Sequence, residues 1–143
     1  MKFAGKRIVG DFESGLLYEL DPDTYDEAGD HLVMTCRFPV HAWPEPHKFK
    51  TLDVDMIPGQ GLNSTDTHDS DPQLLLRLSR NGGTSFGGTM SRSIGKIGQY
   101  RAKTNFDKLG VSDTDGFVVE LSASAAVVKA ITGANGQLEV VRR

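Results

Sequence analysis

The chain has 143 residues, 38% of them hydrophobic and 24% charged, with a formal net charge of −3 and a pI near 5.8. That length suits one domain with at most a short appendage, and the apolar content is that of a globular rather than a disordered protein. The acidic balance argues against strong attraction to nucleic-acid phosphates, which needs a basic patch, and no apolar run reaches membrane-spanning length.

Taken in chain order, 6–10 ("KRIVG") and 15–21 ("GLLYELD") read as short strands around the turn "DFES". A loop rich in Asp, Pro and Gly fills 21–30, and an extended pattern resumes over 31–40. The connector 41–47, "HAWPEPH", carries two prolines, which favour extended chain and exclude a central strand. It marks the boundary between an N-terminal appendage, 1–40, and a main domain, 48–143. Trp43, Pro44 and Pro46 are candidate interface residues there, an aromatic anchor beside stiff prolines. Equally, Trp43 serves simply to cover one end of the main domain.

Over 48–58, Lys50, Leu52, Val54 and Met56 fall on one face of a strand, and Thr51, Asp53 and Asp55 on the other. The polar segment 59–71 reads as a loop. Leu74, Leu76 and Leu78 share one face of a strand over 72–79, which ends in the glycine turn "SRNGGTSF". Tyr100, Ala102, Thr104 and Phe106 alternate as in a strand over 98–110. Strands over 116–124, 126–132 and 137–143 complete the chain, and no segment keeps a helical period. The expected fold is all-β: an antiparallel β-sandwich preceded by a propeller-like blade hairpin.

The glycine turn reads Ser-x-Asn-x-Gly-x-Ser-Phe, close to the Asp-box hairpin of sialidases and other β-proteins. Ser79, Asn81, Gly82, Gly83 and Phe86 are its structural residues. Asn81 bonds backbone groups within the turn, the glycines take positive φ, and Phe86 anchors the hairpin to the core. The turn lacks the Gly-Lys-Ser/Thr ending of a phosphate loop, and the chain is too short for a sialidase propeller. His31, His41, His47 and His68 have no metalloprotease spacing, and there is no Gly-x-Ser-x-Gly elbow. The run "DTHDSD", with Asp66, His68, Asp69 and Asp71, lacks the Gly and Glu of a calcium loop and reads as solvated chain. Cys36, the one cysteine, reads as a small, partly buried apolar residue, and a chain without disulfides suits folding in a reducing cytoplasm. The residues therefore nominate no catalytic group, no cofactor and no metal, and the expectation is a protein that is not an enzyme.

The order "DPQLLLRLSRNGG", "SIGKIGQYRAKTNFDKLG" and "FVVELSASAAVVKAITGA" resembles the C-terminal region of the packaged-DNA stabilisation, or tail hub (nozzle), proteins of short-tailed bacteriophages. Upstream, "VGDFESGLLYELDPDTYDEAG" is similar to the last propeller blade of that family, so the resemblance runs from about residue 8 to 134. Asn81 stands where the family has Asp, Phe86 where it has Trp, and Lys103 where it has Arg. Family members are several times longer, so the resemblance implies a C-terminal fragment, a truncated prophage gene or a separately encoded piece. It further implies a structural virion protein that forms a homo-oligomeric ring, a hexamer, beneath the portal and its adaptor. The ring would contact a tail needle or tailspike, and DNA would pass non-specifically through its lumen. The alternative is a carbohydrate- or receptor-binding β-sandwich module of a phage or bacterial surface protein.

Overall fold

The computed structural model describes residues 2–40 and 45–141. The described residues are almost entirely strand and turn, so the all-β expectation holds. The appendage supplies β1 (Lys2–Phe3), β2 (Lys6–Gly10), β3 (Leu17–Glu19), β4 (Asp26–Glu27) and β5 (Asp30–His31). The first three pair in order as an antiparallel sheet, and β4 and β5 form a separate hairpin. Then come β6 (Met34–Val40), β7 (His47–Met56), the one-turn helix α1 (Thr67–Ser70), β8 (Gln73–Ser79) and β9 (Met90–Ser93). The chain closes with β10 (Thr104–Val111), β11 (Phe117–Ala123) and β12 (Ile131–Val140).

Two antiparallel sheets carry the core: a three-stranded sheet ordered β10-β7-β12 and a four-stranded sheet ordered β6-β11-β8-β9. Their inner faces meet in one apolar cluster. Leu52 and Val54 of β7 and Phe106 and Leu109 of β10 face Leu74, Leu76 and Leu78 of β8 and Phe117, Val119 and Leu121 of β11. The Phe49 and Phe117 rings touch across the layers with centroids 5.3 Å apart. The leucine alternation of 72–79 thus reports the buried face faithfully.

The segment 34–40, which the sequence assigns to the appendage, forms the outer strand of the four-stranded sheet. It pairs with β11 from Met34↔Ala123 to Val40↔Phe117. Backbone pairing therefore continues from the main domain into the last seven residues of the 1–40 segment.

Three local readings differ from the structure. Lys50 does not share the inner face of β7; Phe49 is buried and Lys50 exposed. Both neighbours of β7 shift register at this point, and neither pairs with Lys50. Such an irregularity reverses the inward phase of the strand beyond it. Second, 98–101 is a turn, and β10 starts only at Thr104. Third, β12 is one strand that runs through Gly133 and Gly136, where two strands were expected. Gly136 has a packing reason: a Cβ there would lie 2.9 Å from the Phe49 ring. The polar loop 59–71 also holds α1, started by Asp66, whose carboxylate accepts the His68 N–H at 2.9 Å.

Replacing the fully buried Phe106 by Ala is expected to cost about 3–5 kcal/mol in urea unfolding, from lost burial and the cavity left behind. Phe12→Ser, at a side chain 93% exposed, should change stability by less than about 0.5 kcal/mol. Equal effects of the two would contradict the assignment of the core.

Candidate functional site

The glycine turn at the end of β8 is built around a buried hydroxyl. Ser79 is fully buried, and its Oγ accepts the Gly83 N–H at 2.9 Å while donating to Asn81 Oδ1 at 2.9 Å. Asn81 Oδ1 also accepts the Ser85 N–H at 2.9 Å, and its amide donates to Ser85 Oγ at 2.9 Å. Gly82 and Gly83 take φ of 63° and 96°, in the left-handed region where a Cβ is strained. Ser79, Asn81 and Gly83, three of the five residues assigned to the turn, thus meet with Ser85 in one network, while the Gly82 N–H donates to the Gly116 carbonyl at 3.1 Å. The side-chain atoms of Ser79, Asn81 and Ser85 pair inside the loop, and backbone bonds from Gly82 to Gly116 and from Gly87 to Leu78 tie the loop to its surroundings.

Phe86 plays a different part from the one expected. It lies outside the buried core cluster, half-buried on the outer face of the four-stranded sheet. The Arg37 and Arg77 guanidinium groups stand over its ring at 5.2 and 5.4 Å. The register explains their convergence, since Glu120 in the middle of β11 lies opposite Arg37 on one side and Arg77 on the other. Both arginines bind its carboxylate, Arg37 through Nε and Arg77 through Nη1 at 3.2 Å. The Glu120 side chain is only 7% exposed, although it points away from the core. The Phe86 loop and the two arginine stems cover it. An aromatic ring under two cations adds about 0.5–1 kcal/mol per contact at such a partly exposed site. The hairpin also extends further than a tight turn, because ladder pairing with β9 resumes only at Met90.

Beside the hairpin runs an open groove of about 620 Å³, with Arg80, Asn81, Phe86, Lys108 and Asp113 on its walls. It holds two cations and one carboxylate. Asn81, which lines the groove together with Ser85 and Ser112, is already committed within the turn.

The connector residues Trp43 and Pro44 lie outside the described residues. Pro46 is half-buried, and its carbonyl accepts the Val141 N–H at 3.0 Å, which ties the start of β7 to the end of β12. Cys36 is a free, half-buried thiol packed against the core from β6.

The acidic run 66–71 is dispersed by its own helix. Asp66 caps α1, while Asp71 accepts the Ser93 hydroxyl and lies 3.8 Å from Lys96. His68 and Asp69 turn toward His31 instead, a grouping invisible in sequence because His31 belongs to a distant hairpin. No family model matches the chain, and no curated protein is significantly similar to it.

Asn81→Ala removes the acceptor for one hydroxyl and one backbone donor, and is expected to cost about 1–3 kcal/mol in thermal or urea unfolding. Asn81→Asp keeps that acceptor and should cost clearly less. If Ala and Asp are equally tolerated, the turn does not depend on this network.

Proposed function

We propose that this chain is a structural component of a short-tailed phage or prophage virion, part of the tail hub (nozzle) below the portal. In this reading copies assemble as a ring, hexameric as the resemblance implies, and dock to portal or adaptor proteins and to a needle or tailspike. The lumen retains packaged DNA and lets it pass on ejection, and the protein works by rigidity and contact rather than by catalysis.

The order of the glycine turn, the 98–110 segment and the closing strand supports this reading. The observation that carries it is the apolar surface of the appendage. Phe3 is 68% exposed, Phe12 93%, Leu17 75% and Val33 65%, and Leu16, Leu20 and Leu32 are exposed as well. Isolated exposed apolar residues are ordinary, but so many in one small β-segment fit a surface that is completed by other protein. A tail hub supplies such protein on every side, through adjoining blades and neighbouring copies. The acidic net charge fits a wall along which DNA moves without being held.

Light scattering and native mass spectrometry of the full chain test the reading. Association that rises with concentration is expected, and Phe12→Ser with Leu17→Ser should reverse it while leaving the melting temperature unchanged. A chain that stays monomeric throughout and binds glycans in its 620 Å³ groove would favour the carbohydrate-binding alternative.

A further inference from the structure

Two imidazoles and a carboxylate from separate parts of the chain meet where the appendage adjoins the main domain. His31 ends the β4–β5 hairpin, whereas His68 and Asp69 belong to α1. The two rings meet edge to face with centroids 4.6 Å apart. One donor atom from each of His31, His68 and Asp69 lies within 4.8 Å of the other two.

Two of these three groups are already fixed. The His68 Nε2 atom is 3.1 Å from Ser124 Oγ, and the backbone beneath it is held by the Asp66 cap. Asp69 Oδ1 accepts the Ala126 N–H at 3.1 Å, which leaves the carboxylate with further lone pairs. His31 is exposed whereas His68 and Asp69 are half-buried, so the cluster is covered on one side and open on the other. The cation facing the cluster is Lys129, whose Nζ donates to the Ala125 carbonyl at 2.6 Å. Burial pulls its pKa below the usual lysine value, and the field of Asp69 acts in the opposite direction.

Nitrogen donors with one carboxylate and no thiolate suit zinc and its transition-metal neighbours, whereas calcium and magnesium call for oxygen. Zinc bonds of about 2.0–2.2 Å in a tetrahedron put neighbouring donors about 3.3 Å apart. The present spacing, within 4.8 Å, would contract to that value on binding, and His31 is the most exposed of the three. We propose that His31, His68 and Asp69 form a three-ligand site for a divalent first-row transition ion such as Zn²⁺, with water in the fourth position. The bound ion would clamp the β4–β5 hairpin of the appendage to α1. The site stands independently of the tail-protein reading.

Zinc titration of the full, chelator-stripped chain tests the site by calorimetry and by thermal unfolding with and without EDTA. One ion per chain and a higher melting temperature with zinc are expected. His31→Gln, at an exposed residue, should weaken binding by at least about tenfold, the lower end of what even an outer-shell change costs a metal site. It should also remove the thermal shift, with the circular dichroism spectrum unchanged. Asp69→Asn should act alike, and His47→Gln should have no effect. The chain has four histidines, so ring NMR gives a second readout in which zinc displaces the His31 and His68 signals. Absence of zinc binding would overturn the proposal, as would binding of wild-type strength in His31→Gln or displacement of His47 in place of His31.

Discussion

The central strand β7 has to satisfy two neighbours at once, and its sequence does not alternate cleanly. Had the pleat continued unbroken outward from Leu52, Lys50 would face the core and Phe49 the solvent. Burying an unpaired ammonium is costly, and the exposed phenyl ring would forfeit its burial. The register shift at Lys50 resolves the conflict. Phe49 turns inward against Phe117, Lys50 reaches Glu139 at 2.9 Å in solvent, and Gly136 leaves room for the ring. The two layers meet at Phe49 and Phe117, so that single irregularity sets how one sheet lies on the other.

The outer face of the four-stranded sheet is organised by charge instead. Glu120 lies between Arg37 and Arg77, and one carboxylate thereby links three adjacent strands, including the edge strand β6. Both arginines are partly exposed, and either one alone leaves the carboxylate paired. Phe86 closes the row from above, which explains why the long β8–β9 connection folds back onto the sheet. The hydrogen bonds of the glycine turn and the ring of Phe86 thus serve the same end: they hold a loop down.

How much was legible depended on how local the cause was. The Leu74–Leu76–Leu78 alternation, the "KRIVG" strand and the Ser79–Asn81 turn are set by residues next to one another, and sequence pattern captured them. The facing of Lys50, the late start of β10 and the continuity of β12 depend on partners across the sheet. Gly133 and Gly136 look like strand breakers in sequence, yet both sit in β12 opposite β7. Phe86 was assigned to the core because a lone aromatic after a turn usually goes there. The arginines that capture it come from two other strands. His68 and Asp69 stood out only as part of the run "DTHDSD", and their meeting with His31 carried no signal, since it depends on the path of the appendage. The pairing of β6 is not local either, since β6 reads like its predecessors but pairs with β11.

The main domain gathers most of its large apolar residues into one buried cluster, although Ile57, Leu62, Ile97, Val111, Leu138 and Val140 are exposed, whereas the appendage before β6 leaves most of its large ones in solvent. A β-segment of this kind gains stability mainly by covering that surface with another chain, and this contrast is the physical basis for reading the protein as part of an assembly. Hydrogen–deuterium exchange across a range of protein concentrations tests it most directly. The account predicts slow exchange in β7, β8, β10 and β11 at every concentration, with β1 to β3 exchanging fast in dilute protein and becoming protected as it associates. Exchange in β1 to β3 that is independent of concentration would contradict it.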